Sequence, residues 1–188
     1  MRVIMMGPPG VGKGTQAAIL AEVLGVPAIS TGELFRSHVA DGTELGQRLR
    51  DIVEAGAYVP DELTNALVAE RIDEPDAHDG FILDGYPRTP AQVEELDRLL
   101  AQRGEALARV VMLTAETEVV VERLLARAAE QNRADDDPDV IRHRIAVYER
   151  ETAPLEHVYA EAGILVRIDG SAAQDEVSRQ VVAACRAE

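Results

Sequence analysis

Five short apolar runs punctuate the chain, at 2–6, 26–30, 80–84, 108–113 and 164–168. Between them apolar positions recur at helical spacing, so the pattern predicts strands alternating with helices. Such alternation implies an α/β fold, with a parallel sheet covered by helices on both faces. The first helix is expected over Thr15–Leu24, ending at Gly25, and another spans Glu118–Ala129. A third begins at Thr89 as N-cap, with Pro90 at N1 and Gln92 at N3, which gives Gln92 a structural job without any ligand. Segments 31–79 and 114–163 are longer than a simple crossover requires. Inserts in such places commonly carry ligand specificity and moving parts. There is no internal repeat or low-complexity stretch.

The turn between the first strand and first helix reads Gly7-Pro-Pro-Gly-Val-Gly12-Lys13-Gly14-Thr15. In that context it is a P-loop, whose backbone N–H groups converge on phosphate oxygens at the positive end of a helix. Gly14 stands where the general motif has a hydroxyl and Thr15 follows it, so the hydroxyl on the Mg2+ side is assigned to Thr15. Lys13 is the only lysine of the chain; the other eighteen basic positions are arginine. A compact, flexible ammonium suits a cradle of backbone amides better than a rigid guanidinium fork.

Composition limits the partners. The 188 residues fit one domain with small inserts, and the net charge of −15 argues against a nucleic-acid or anionic-membrane surface. A phosphate ligand must therefore be gripped locally. No apolar run reaches about 18 residues and the chain enters a strand at once, so a soluble cytoplasmic protein without a signal peptide is expected. The one cysteine, Cys185, is expected to be a packing residue, and no zinc signature exists. His38, His78, His143 and His157 have no partner pattern and are read as surface residues. Asp84 ends the third strand, where it could hold Mg2+ through water or serve the Asp-Gly turn.

Five segments, GPPGVGKGT at 7–15, STGELFR at 30–36, YVPDE at 58–62, DGYPRT at 84–89 and NRADD at 132–136, stand in order along nearly the whole chain. Together they resemble the adenylate kinases, among the nucleoside monophosphate kinases. The resemblance implies a P-loop nucleotide kinase fold in a single domain, 1–188. That fold has a five-stranded parallel sheet, a monophosphate-binding (AMP) insert at 30–59 and a short lid at 126–136. It implies ATP, AMP and ADP as partners, Mg2+ as cofactor, no zinc, and a monomer. It also implies transfer of the terminal phosphoryl group of MgATP to AMP, giving two ADP.

By the same resemblance, Gly10, Val11, Gly12, Lys13, Gly14 and Thr15 meet ATP, joined by Arg123, Arg127 and Ala172. Thr31, Arg36, Ala57, Tyr58, Val59, Gly85, Tyr86, Pro87, Arg88 and Gln92 meet AMP, joined by Arg133 and Arg144. Lys13, Arg88, Arg123, Arg133 and Arg144 form the catalytic set, with Arg88 on the AMP phosphate, Arg123 on ATP phosphates and Arg133 and Arg144 on the phosphoryl group in flight and the AMP phosphate, while Thr15 and Asp84 serve the metal. Arg123 and Arg127 are four apart and share a helix face. The acceptor is an anionic phosphate oxygen, so no general base is needed, and positioning and electrostatics carry the rate.

A lid closing over both substrates would exclude water. Asp135 and Asp136 either pair with lid arginines or form a solvated acidic run, and Ala128 and Asn132 stand where relatives often have glycine. UMP/CMP kinases share the P-loop and the Gly-aromatic-Pro-Arg segment, although Thr31 and YVPDE favour AMP. A nucleotide-binding switch would need an Asn-Lys-x-Asp element, which a chain with one lysine lacks.

Overall fold

Strand β1 (Arg2–Met6) is apolar on consecutive residues because both its faces are covered. The computed structural model describes residues 1–131 and 137–186, the side chains of 130 and 131 excepted. Val3 and Met5 point to one layer and Ile4 and Met6 to the other, as strand alternation requires. The first layer is closed by α1 (Lys13–Leu24) and α9 (Gln174–Arg186), through Ala17, Leu20, Val177, Val181 and Cys185. The second is closed by α4 (Asp61–Ile72), α5 (Pro90–Gln102) and α8 (Leu155–Glu161), through Val68, Ile72, Leu96, Leu100 and Tyr159. Each fully buried aliphatic side chain contributes about 1.5–3 kcal/mol.

The other strands are β2 (Ala28–Ser30), β3 (Phe81–Asp84), β4 (Arg109–Thr114) and β5 (Leu165–Asp169). All pair in parallel in the order β2-β3-β1-β4-β5. The expected five strands are present, β1 with the expected bounds and the other four shifted or shortened by one or two residues. Helix α1 starts two residues earlier than its apolar pattern suggested. Gly12, at φ 104°, turns the loop directly into Lys13 without a side-chain cap. The first N–H groups of α1 are thus left for something other than a capping side chain.

Parallel register brings the C-terminal ends of β1, β2 and β3 together, with Met5 opposite Asp84 and Ser30 opposite Asp84. The chain leaves these ends as the P-loop, as α2 (Thr31–Ala40) and as the Gly85–Thr89 turn. This is the edge at which open parallel sheets collect ligands.

The two long segments are largely helical, as their spacing predicts. The first contains α2 and α3 (Glu44–Glu54), which enclose a small core of Phe35, Leu49 and Val59, and then α4. The second contains α6 (Thr117–Gln131) and α7 (Pro138–Val147), packed through Val120, Leu124 and Ile141. A π-helical turn, Tyr148–Thr152, then leads into α8. Among the described residues no helix is long and apolar enough to cross a membrane.

Candidate active site

A cleft open to solvent lies over the P-loop between α2 and α6. Gly10, Gly12, Lys13, Gly14 and Thr15 form its floor, and Asp84, Gly85 and Arg88 enter from the end of β3. Arg36, Arg123, Arg127 and Arg144 also line it. Six basic side chains thus face two acidic ones, Glu33 and Asp84, in a protein whose net charge is −15. The basic groups are gathered locally, as the sequence required.

Lys13 Nζ donates to the carbonyl oxygens of Gly7 and Pro8, both at 2.8 Å, folding the half-buried side chain back over its own loop. Burial pushes its pKa down to about 8; Asp84 works against that shift, while Arg88, Arg144 and Arg127 reinforce it. Arg123 Nη1 donates to Gly170 O at 2.8 Å, which ties α6 to the loop after β5. Val11 is a core residue of the α1 layer, 2% exposed, and does not line the cleft.

A second cavity adjoins the cleft and shares Gly32, Arg36, Gly85, Arg88 and Arg144 with it. Its walls include Thr31, Arg36, Ala57, Tyr58, Val59 and Gln92. Thr31 Oγ1 and Arg88 Nε both donate to Gly85 O, at 2.9 and 2.6 Å, so both lone pairs of that carbonyl are used. Nε is the one guanidinium nitrogen of Arg88 with a hydrogen bond among the described residues. The Arg88 guanidinium lies 4.8 Å from the centre of the Tyr58 ring, within cation–π range.

Several expected site residues stand differently. Gln92 is 1% exposed: its Oε1 accepts from Arg88 N at 2.7 Å, and its Nε2 donates to Asp61 Oδ1 at 2.6 Å. The amide is thus oriented by protein at both ends while Gln92 remains part of the wall of the cavity shared with Thr31 and Arg88. Tyr86 is a core residue at 1% exposure, its hydroxyl donating to Asn65 Oδ1 at 2.8 Å. Pro87 is buried beside it, and both line a third, adjoining cavity together with Lys13 and Arg88. Ala172 packs partly buried against the α1–α9 layer and lines none of these cavities. Gly170 instead approaches the P-loop, where a Cβ would stand 2.9 Å from Val11 Cγ2.

Three of the four histidines are exposed, whereas His38 is half-buried with Nδ1 3.0 Å from the N-cap hydroxyl of Thr43. Asn132, Arg133, Asp135 and Asp136 lie outside the described residues, so the predicted 126–136 lid is described only in part. Among the described residues no group of three or more His, Cys, Asp or Glu side chains is gathered.

Sequence reasoning missed Asp61, Gly56 and Thr152. Asp61 Oδ2 accepts from Thr89 Oγ1 at 2.9 Å while Oδ1 holds Gln92, so the YVPDE and DGYPRT segments lock together. At Gly56 a Cβ would stand 2.6 Å from Arg144 Cγ, so Arg144 can lie along this backbone only because no side chain intervenes.

The sequence profile of adenylate kinases matches residues 5–164. The chain belongs to the adenylate kinase family. It is 53% identical to the adenylate kinase of Kocuria rhizophila over 183 residues, 97% of each chain. It is 54% identical to that of Clavibacter michiganensis over 97% of this chain and 92% of the relative. For the enzyme of Nocardioides sp. the figure is 52%, over 96% of this chain and 95% of the relative. These family members are named for adenylate, not pyrimidine, nucleotides, and the match spans both the P-loop and the cavity walled by Thr31, Tyr58 and Arg88.

Proposed function

We propose that the chain catalyses reversible transfer of the terminal phosphoryl group of MgATP to AMP, giving two ADP. One observation carries this reading: within a family-wide match, the P-loop cleft and the Thr31–Tyr58 cavity meet at shared residues Gly32, Arg36, Gly85, Arg88 and Arg144. Two nucleotides placed in the two spaces would bring their phosphates to this junction. ATP lies with its phosphates over Gly10–Thr15, and AMP lies under the 30–59 insert with its phosphate at Arg88.

The chemistry asked of the protein is positioning and charge stabilisation. An acceptor phosphate oxygen is already anionic near neutral pH, so no side chain has to remove a proton. Lys13 swings from its loop carbonyls to the outer phosphates of ATP, while the N–H groups at the start of α1 hold those nearer the base. Arg88 fixes the acceptor, its Nε spent on Gly85 O and its remaining N–H groups directed to phosphate. Arg123, Arg127 and Arg144 surround the transferring group, where fixed donors stabilise the charge that spreads in the transition state.

The residues fit magnesium. The Thr15 hydroxyl and Asp84 carboxylate are hard oxygen donors in the same cleft, and Asp84 comes close to the P-loop, since a Cβ added at Gly14 would already touch its Oδ2 at 3.5 Å. Thr15 would hold the ion directly and Asp84 through water. Bound with ATP, Mg2+ neutralises phosphate charge and orients the leaving group.

The test is a minutes-long incubation of purified protein with MgATP and AMP, CMP, UMP, GMP or no acceptor, with the nucleotides resolved by chromatography. Rapid ADP formation with AMP alone is expected. Preference for UMP or CMP would move the chain to the pyrimidine kinases, and ADP formation without an acceptor would refute phosphoryl transfer.

A further inference from the structure

Arg88 is tethered by more than its own loop. Its carbonyl oxygen accepts a hydrogen bond from Thr152 Oγ1 at 2.9 Å, across 64 residues of chain. The same Oγ1 lies 2.8 Å from the Tyr58 hydroxyl. Thr152 has one hydroxyl proton and gives it to Arg88 O, so the proton between Thr152 and Tyr58 comes from tyrosine. The result is a directed chain from Tyr58 O–H to Thr152 O–H to Arg88 C=O, in which each bond polarises the next.

The chain closes on itself, because the ring of Tyr58 lies beneath the Arg88 guanidinium at 4.8 Å. Thr152 therefore controls two things at once, the backbone from which Arg88 projects and the surface on which its charged end rests. It is 5% exposed and lies in the π-helical turn between α7 and α8, outside the five short segments that carried the resemblance, though within the residues that the family profile matches. It lines the space beside Lys13 and Arg88 but not the cavity walled by Thr31 and Gln92.

We propose that Thr152 is a positioning residue for the nucleoside monophosphate, holding Tyr58 and Arg88 in one fixed relation. This deepens the AMP-side assignment given above and rests on it.

The test is steady-state kinetics of T152V, T152S and Y58F. T152V keeps the volume and loses the hydroxyl, leaving Arg88 O without its donor. It is expected to raise KM for AMP about tenfold, the range for an orphaned buried hydrogen-bonding group, with KM for MgATP changed less than about twofold. T152S restores the hydroxyl and should return KM for AMP to near the wild-type value. Y58F should raise KM for AMP in the same direction, and in Y58F/T152V the two effects should not add, because both break one chain.

A folded T152V with wild-type KM for AMP overturns the role of Thr152, as does equal loss in T152S and T152V. Should T152V fail to fold, Y58F decides, since its hydroxyl belongs to a half-exposed side chain; unchanged AMP kinetics there overturn the proposal. Failure of the wild-type protein to make ADP from MgATP and AMP overturns the AMP reading itself and is seen before any variant is made.

Discussion

Replacing Gly85 by alanine separates backbone strain from site geometry, because a second glycine supplies the strain alone. Gly85 has φ +78° and Gly104 has φ +68°, so a side chain at either enters the left-handed region, at a cost of about 1–2 kcal/mol. At Gly104 nothing lies within 4 Å of the added Cβ. At Gly85 that Cβ would stand 2.8 Å from Arg88 Nη2 and 3.0 Å from Thr31 Oγ1, against the 3.4 Å at which ordinary contact begins. Arg88 must retreat by about half an ångström while its Nε is bonded to Gly85 O and its carbonyl to Thr152. Misplacement on this scale at a reacting centre costs up to about 10²-fold in rate.

Both variants should therefore lose about 2–8 °C in melting temperature, at roughly 2–4 °C per kcal/mol for a chain of this size. Only Gly85→Ala should also lose kcat/KM for AMP, by about tenfold and at most about 10²-fold. A coupled ADP-release assay with varied AMP, beside scanning calorimetry, measures both quantities. If Gly85→Ala keeps kcat/KM within about threefold of wild type, or Gly104→Ala loses as much activity, the argument from contact geometry is wrong.

Arg88→Ala should fold, as judged by circular dichroism, and lose at least about 10²-fold in catalytic efficiency as a preorganised donor is removed; a loss below tenfold would take Arg88 out of the site. The lowered pKa of Lys13 has a definite stability signature. The folded chain binds fewer protons than the unfolded one between about 8 and the ordinary lysine value of about 10.4, so stability rises with pH across that window. Calorimetry from pH 6.5 to 10 should then show wild type gaining stability relative to Lys13→Met above about pH 8; a constant difference would contradict burial of the ammonium. Chelating Mg2+ should stop ADP formation, and Asp84→Asn should raise the Mg2+ concentration for half-maximal rate by about tenfold or more, as loss of an outer-shell metal partner does. An unchanged Mg2+ requirement would free Asp84 from that role.

The strands were legible because a sheet covered on both faces demands unbroken apolar runs, as at Val3–Met6 and Phe81–Leu83. The phosphate loop was legible because its function lies in the backbone of consecutive residues, so glycine spacing next to Lys13 reports it directly. Boundaries were less so. Loop geometry rather than an apolar pattern starts α1 at Lys13, and helical spacing in the long segments does not say which helices bury their faces against each other.

What the sequence by itself determined is the layered parallel sheet, the loop and the set of polar residues brought near its C-terminal edge. These follow from periodicity and from local motifs, which need no knowledge of distant partners. Only the tertiary structure decided how those residues are used. Gln92 is bound at both ends through Asp61, Tyr86 belongs to the core, Gly170 rather than Ala172 approaches the P-loop, and Thr152 holds Arg88 from 64 positions away. Hydrogen bonds and close contacts of this kind join residues far apart in the chain. Spacing along a sequence carries no record of a partner that folding alone brings within 3 Å.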